Sequence, residues 1–445
     1  MRIQLVFSRC SKTQQQPRRR RRAELFCLLF LRQEKEVACR GETRHWIGLT
    51  KLWDFTGSYA TIMVMKQGAG KRPVIGIVGG GQLGRMLTLA AKPLGFNVTV
   101  IDPGEHCPAE QVGARQIVGN LYDEMALKQL AAEADFITVE IEHLDAEALS
   151  KIEKSGAVIN PSPATIRLIQ DKYAQKVFLR ENSVPVAPFV EISDEYSARN
   201  ALKKFGGQMI VKTRHGAYDG RGNMVVRSEQ ELKGALQKFD GKALYAEGLI
   251  DFERELAVMI ARDMRGNIAL YPIVQTVHER NICTEVLVPA PVSANITKKA
   301  ETVAQQVAGL LSGAGTFGIE LFLTRSGDIL VNEIAPRVHN SGHYTTEACR
   351  TGQFEQHIRA IAGLPLGDTS LVVPAAVMIN ILGERDGPTQ VKGTPDVLAI
   401  PGASLHLYGK SPTKIDRKMG HITVTAKSVE DAQKSARRAR KALDI

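Results

Sequence analysis

The hydrophobic pattern of the chain begins late. From Val74 onward, short apolar runs alternate with stretches of helical periodicity: Val74–Val78, a helical stretch from Leu83 to about Lys92, then Val98–Ile101 ending in Asp102. Phe136–Val139 closes on Glu140-Ile141-Glu142, and Val158-Ile159 precedes Asn160-Pro161-Ser162-Pro163. Apolar runs of four or five residues separated by helices predict buried parallel strands, so residues 73–170 read as a Rossmann-like domain. A helix is predicted from Ala164 to Arg180, followed by strands at Met209–Lys212, Met224–Arg227, Leu244–Glu247 and from Arg254 to Ala261. Beyond residue 370, strands near Ser404–Tyr408 and His421–Thr425 and a helix over Val429–Leu443 suggest a small third module. The predicted fold is α/β, in three packed modules: 73–170, 171–370 and 371–445.

Two later runs, Gly318–Leu323 and Asp328–Ile334, flank Ser326-Gly327. With Ser326-Gly327 as a two-residue hairpin turn, Arg325 pairs with Asp328 and Glu320 falls opposite Glu333. With Gly327-Asp328 as the turn, the register slips and the pairing is lost. Opposed carboxylates on one sheet face repel, unless a divalent cation bridges them; hard oxygen donors of this kind suit Mg²⁺ on nucleotide phosphates.

Gly79-Gly80-Gly81-Gln82-Leu83-Gly84 satisfies G-x-G-x-x-G between a strand and a helix, with Asp102 about 20 residues on. An NAD-dependent oxidoreductase is one reading. The physics of the motif supports something broader, an anion at a helix amino terminus, whether pyrophosphate or sugar phosphate. Glu140 and Glu142 end a parallel strand, where such sheets bind ligands; solvated loop acids are the plain alternative.

The strand ending in Lys212 runs through Thr213-Arg214-His215-Gly216-Ala217-Tyr218-Asp219-Gly220-Arg221-Gly222-Asn223 into another strand. Strand, glycine-rich loop, strand reads as a flap whose amides can close over a triphosphate, with Lys212 reaching phosphate oxygens; a hairpin whose glycines serve only the turn is the plain alternative.

Composition changes the picture in one respect. The formal net charge of +11 belongs entirely to residues 1–72, which hold 16 Lys and Arg against 5 Asp and Glu; the rest is balanced at 42 each. A nucleic-acid or membrane partner is therefore not expected, since such partners call for a basic face on the folded body. Residues 1–72 carry Pro17 and the arginine run Arg18–Arg22, an apolar stretch of about seven residues from Leu25, and both tryptophans, Trp46 and Trp53. They read as a poorly ordered basic extension, or as upstream sequence before a start at Met63 or Met65. The arginine excess leaves an organelle transit peptide open, although Glu24, Glu34, Glu36 and Glu42 are untypical of one. Otherwise a cytoplasmic location is expected. Cys107, Cys283 and Cys349 are too widely spaced for a zinc site or a disulfide framework.

Three segments resemble the PurK family of ATP-grasp enzymes. They are Gly79–Met86, Ala217–Gly222 and the run Asn332-Glu333-Ile334-Ala335-Pro336-Arg337-Val338-His339-Asn340-Ser341-Gly342-His343. The resemblance runs from about Val74 to the carboxyl terminus and makes the central module an ATP-grasp domain. It implies ATP-driven condensation of 5-aminoimidazole ribonucleotide with bicarbonate through carboxyphosphate, in purine synthesis. By motif, Lys172, Lys212 and the flap Ala217, Tyr218, Asp219, Gly220, Arg221, Gly222 and Asn223 would hold ATP. Glu247 would border the adenine and Glu255 the ribose, with His278 and Asn332 also in the nucleotide site. Glu320 and Glu333 would take Mg²⁺, with Mn²⁺ able to substitute. Gln82, Leu83, Glu140, Glu142, Tyr218, Asp219, Arg337, His339, Asn340, Ser341, Lys410 and Arg417 would meet the ribonucleotide and bicarbonate; Arg337, Asp219 and Tyr218 would be catalytic. The sequence departs from the family at Lys172, where Arg is usual, losing a guanidinium fork for a point charge. The resemblance leads one to expect a homodimer. The chain stops at Ile445, so the mutase acting on the product is expected to be a separate protein. A formate-dependent glycinamide ribonucleotide transformylase is the neighbouring alternative in the superfamily.

Overall fold

The computed structural model describes residues 72–216 and 222–445; the readings made on residues 1–71 and on Ala217–Arg221 lie outside them. The first module is a four-stranded parallel sheet in the order β3-β2-β1-β4. Its strands are β1 (Val74–Val78), β2 (Asn97–Asp102), β3 (Arg115–Val118) and β4 (Phe136–Val139), with α1 (Gln82–Ala91) and α2 (Glu124–Glu133) as crossovers. Ile75 and Ile77 pack with Leu87 and Phe96 on one face, while Val78 and Ile101 pack with Leu127 and Leu130 on the other. Burial on both faces is why these strands read as unbroken apolar runs. Val158-Ile159 is not a full strand; Ile159 makes only an isolated parallel bridge to Ile137.

Helices α3 (Ala146–Lys154) and α4 (Pro163–Gln170) lead to α5 (Lys172–Glu181). One continuous helix from Ala164 to Arg180 was expected, and the structure corrects this. Asp171 is extended and its side chain accepts from the amides of Tyr173 and Ala174, so it ends one helix and caps the next.

The central module opens with a small antiparallel sheet ordered β5-β8-β6-β7, built from β5 (Phe189–Ile192), β6 (Met209–Thr213), β7 (Asn223–Val226) and β8 (Leu244–Gly248). Two helices, α6 (Glu195–Lys204) and α7 (Glu229–Lys238), cover it; Ser228 caps the second, and Asp194 forms a capping box with Ser197 on the first. A nine-stranded sheet follows. It contains β9 (Phe252–Arg262), β10 (Ile268–Leu270), β11 (Val274–Glu279), β12 (Ile282–Val288), β13 (Gly315–Thr324) and β14 (Ile329–Ala335), with α8 (Ala294–Leu310) packed against it. After α9 (Thr345–Ala348) and α10 (Gln353–Ile361), the sheet continues into β15 (Ala375–Leu382). Past α11 (Thr394–Leu398) come β16 (Ala403–Leu407) and β17 (Lys418–Ala426), backed by α12 (Val429–Lys441). Because β12 pairs with β15, the carboxyl-terminal strands extend the central sheet rather than forming one of their own.

His357 on α10 fastens the first module to this sheet. Its Nδ1 accepts from the Thr316 amide at 3.0 Å, which leaves Nε2 to donate to Thr138 Oγ1 at 2.7 Å. Among the described residues no helix is long and apolar enough to cross a membrane.

Candidate active site

The hairpin of β13 and β14 does place Glu320 opposite Glu333, by a different route from the one expected. Leu323 pairs with Ile329, and the Thr324 amide donates to the Asp328 carbonyl, so the loop has three residues, Arg325 to Gly327. Gly327 takes φ +80°, the left-handed residue that such loops require. That register alone would set Glu320 against Asn332. A bulge at Asn332 inserts the extra residue that brings Glu333 across. The expected Arg325–Asp328 pair does not form.

The two carboxylates are faced by one cation and two uncharged polar side chains. Lys172, on α5, sends Nζ to Glu333 Oε2 at 2.9 Å, and Asn332 Nδ2 donates to Glu320 Oε2 at 3.3 Å. His339 Nε2 lies 3.6 Å from Glu320 Oε1. Burial and the neighbouring Glu333 both push the Glu320 carboxyl upward. Burial pulls Lys172 down, but Glu333 and its neighbours outweigh it and hold the ammonium above its ordinary value. Among the described residues no group of three or more His, Cys, Asp or Glu forms a ready-made metal cage. A carboxylate pair with an amide oxygen beside it nevertheless fits Mg²⁺, which takes one or two carboxylates and leaves its other positions to phosphate and water.

Arg337 follows β14 and forms a two-pronged pair with Glu142: Nε to Oε2 at 2.7 Å and Nη2 to Oε1 at 3.1 Å. Burial alone would raise Glu142, but Arg337 more than reverses this and brings it to about 2. His339 is pushed down to about 3 by burial and by Arg337, and it accepts a 2.9 Å contact from the Ser341 hydroxyl at Nδ1. Asn340 and Ser341 are buried, and Asn340 exchanges two side-chain hydrogen bonds with Asn380 at 2.8 and 2.6 Å. Their side chains thus serve to hold the His339 segment in place.

Between β9 and β11, Glu255 pairs with His278; burial pulls the imidazole down, and Glu255 more than offsets it, leaving His278 above its usual value. Lys212 Nζ bonds Glu247 Oε2 at 2.7 Å, and both are buried. Gly222 leads into β7, which begins at Asn223, and its carbonyl accepts from the Thr213 amide at 2.9 Å.

The glycine motif has a different tenant from the one a dinucleotide reading needs. Glu140 Oε1 accepts from the Gly81 amide and Oε2 from the Gly84 amide, each at 2.5 Å, while Asp102 Oδ2 accepts from the Gly80 amide at 3.0 Å. The start of α1 is filled by the protein's own carboxylate. A Cβ at Gly81 would stand 2.6 Å from Glu140 Oε1, so the glycines permit close packing of strand end and helix. Burial raises the Glu140 carboxyl, and the two amides pull it back only in part. Gln82 turns outward to meet Lys410 Nζ at 2.5 Å, joining the first module to the carboxyl-terminal segment, whereas Leu83 belongs to the core. Arg417 instead bonds the Pro412 carbonyl at 2.7 Å.

Three residues near the site escaped the sequence reading. Lys418 bears electrostatically on His278 and His339. Arg214 clasps Asp171, tying the end of β6 to the cap of α5. Lys176 is 2% exposed and faces Glu247. The signal for Lys176 was its i, i+4 spacing from Lys172, which sets both on one helix face.

A carboxylate pair faced by Lys172, on an antiparallel sheet beside a smaller antiparallel sheet that carries Lys212, is the arrangement of an ATP-grasp ligase. The modules match three family models: a ribonucleotide synthetase preATP-grasp domain over 73–170, an ATP-grasp domain over 177–354, and a phosphoribosylaminoimidazole carboxylase C-terminal domain over 376–435. The chain is 41% identical over 351 residues to an N5-carboxyaminoimidazole ribonucleotide synthase of Brucella melitensis, covering 78% of this chain and 95% of that one. It is 45% identical over 368 residues to a phosphoribosylaminoimidazole carboxylase of Ogataea methanolica, 81% of this chain but only 68% of that longer relative. An Aspergillus clavatus N5-carboxyaminoimidazole synthase, solved with ADP and 5-aminoimidazole ribonucleotide, superposes with a TM-score of 0.78 at 36% identity, over 83% of this chain and 98% of that one. This chain belongs to the PurK family, that of the N5-carboxyaminoimidazole ribonucleotide synthases.

Proposed function

We propose that this chain uses ATP and bicarbonate to carboxylate the exocyclic amine of 5-aminoimidazole ribonucleotide, giving N5-carboxyaminoimidazole ribonucleotide, ADP and phosphate in purine synthesis. The observation that carries the reading is the Glu320–Glu333 pair, faced by Lys172 and flanked by Arg337 and His339. Family relatives have been solved with ATP and with ADP, the Aspergillus enzyme with the ribonucleotide as well.

In the reaction, a bicarbonate oxygen attacks the γ-phosphorus of ATP and ADP leaves, forming carboxyphosphate. The ribonucleotide amine then attacks the carboxyphosphate carbon; phosphate leaves and the nitrogen loses a proton. Both steps join anions, so positive charge matters more than a nucleophilic side chain. Lys172 and Lys212 would hold the triphosphate, and Glu320, Glu333 and Asn332 would hold Mg²⁺. That ion would screen the β- and γ-phosphates when bound. Arg337, kept rigid by Glu142, would position bicarbonate and the carboxylated intermediate. Gln82 and Lys410 would receive the sugar phosphate at the head of the first module. The flap Ala217–Asn223 would exclude water from carboxyphosphate. A homodimer completes the reading.

Phosphate release measures this directly. Release from ATP should require Mg²⁺, bicarbonate and aminoimidazole ribonucleotide together. Release with glycinamide ribonucleotide and formate instead would move the chain to the transformylase reaction, and nicotinamide-dependent turnover would revive the oxidoreductase.

A further inference from the structure

Two buried lysines converge on one buried carboxylate. Lys176 and Glu247 are each 2% exposed and Lys212 10%. Lys212 Nζ bonds Glu247 Oε2 at 2.7 Å. Lys176 Nζ lies 3.2 Å from the other oxygen, Oε1, but its aligned bond goes to the Val331 carbonyl at 3.1 Å. Oε1 accepts no aligned hydrogen bond at all. The set carries one more positive than negative charge, away from water.

A surplus buried cation is unfavourable unless an anion comes to meet it. Lys212 is the penultimate residue of β6, at the end that leads toward Gly216, whereas Lys176 is anchored on α5 to the Val331 carbonyl of β14. Of the two, Lys212 is the one placed to leave. Without Lys176, that departure would strand Glu247 as a bare buried carboxylate, and the penalty would oppose it.

We propose that Lys176 is a positioning residue for nucleotide binding: it stays on Glu247 as the standing countercharge, so that Lys212 can exchange Glu247 for an ATP phosphate. This rests on the reading that Lys212 binds the triphosphate. Lys176 touches neither substrate nor reacting atoms in this role. It lowers the cost of releasing Lys212.

The test is a double-variant cycle on the full chain, reading the Kd for Mg-ATP by calorimetry alongside KM and kcat. Lys176→Met keeps volume and removes charge; it should weaken ATP binding about 10-fold or more, where tenfold is one step of about 1.4 kcal/mol, and raise KM more than it lowers kcat. In a Glu247→Gln background no carboxylate remains to be stranded, and Lys176→Met should then cost less than about 3-fold. That background also serves if Lys176→Met alone does not fold. Equal losses in both backgrounds, or no loss in either, overturn the proposal. Lys212→Met separates the two levels. If it weakens ATP binding while Lys176→Met does not, only the role of Lys176 falls. If it leaves ATP binding unchanged, the nucleotide role of Lys212 falls and the proposal with it.

Discussion

Replacing Glu320 by Gln should strengthen the empty protein and disable the enzyme. Glu320 and Glu333 face each other across the β13–β14 pair, where directly opposed side chains have Cβ atoms about 5 Å apart. Two unit charges at that distance repel by about 3 kcal/mol at an effective dielectric of 20. The side chains are 29% and 39% exposed and Lys172 sits 2.9 Å from Glu333, so screening reduces the expected gain to about 1 kcal/mol. The sign follows from the titration. Burial and Glu333 raise the Glu320 carboxyl in the folded state, so ionising it costs stability. The cost is absent below the unfolded value and full above the folded one. The gain in Glu320→Gln should therefore be larger at pH 8 than at pH 4.5, read as a shift in urea midpoint with unchanged slope. Mg-ATP should reverse the ranking. At 100 times its Kd, a ligand adds about 2.7 kcal/mol to the parent, and the variant should gain far less. The reasoning fails if Glu320→Gln is less stable than the parent without nucleotide, or if Mg-ATP stabilises both alike.

Glu333→Gln should also abolish turnover, but without the stability gain, because it takes the partner from Lys172 (2.9 Å); a midpoint above that of Glu320→Gln would contradict this. Acid should destabilise the protein in two windows. His339 and His357 are held at about 3, the first by burial and Arg337, the second by burial. Their contribution is full above about pH 6.5 and falls below it by up to about 1.4 kcal/mol per pH unit each. Glu142 and Glu247 sit at about 2, and their contribution is lost as pH falls from about 4.5 toward 2. A urea midpoint that stays flat from pH 7.5 to 5.5 would refute the histidine part, and His357→Gln should reduce the slope there by about one proton. Asn340→Ala leaves Asn380 without the reciprocal bonds at 2.8 and 2.6 Å and should cost about 1–3 kcal/mol. Its KM for the ribonucleotide should rise as His339 loosens, and a variant of parental stability would show that water satisfies Asn380.

Much of this protein could be read along the chain. The strands β1, β2 and β4 fall where unbroken apolar runs place them, because burial on both faces leaves no polar position to blur the pattern. The run from Asn332 to His343 points to the site through its resemblance to the PurK family, which a contiguous motif makes legible. Where two local signals compete, the chain alone does not show which one prevails. Asp171 is an acceptable residue inside a helix, yet its carboxylate does better as a cap and as the partner of Arg214. The hairpin loop is one residue longer than its sequence suggested, and the opposed carboxylates survive only because a bulge at Asn332 compensates.

Other features belong to the tertiary structure alone. Nothing along the chain tells that Glu140, 56 residues beyond Gly84, fills the helix terminus the glycine motif prepares, and so displaces the ligand that motif first suggests. Nor does it tell that Lys176 and Lys212 share Glu247, or that Arg337 closes on Glu142, 195 residues away. The reason is physical. Hydrophobic periodicity records which face of an element is buried, and it is written locally. Charge pairing depends on which elements meet, and burial makes each pairing obligatory only after they have met.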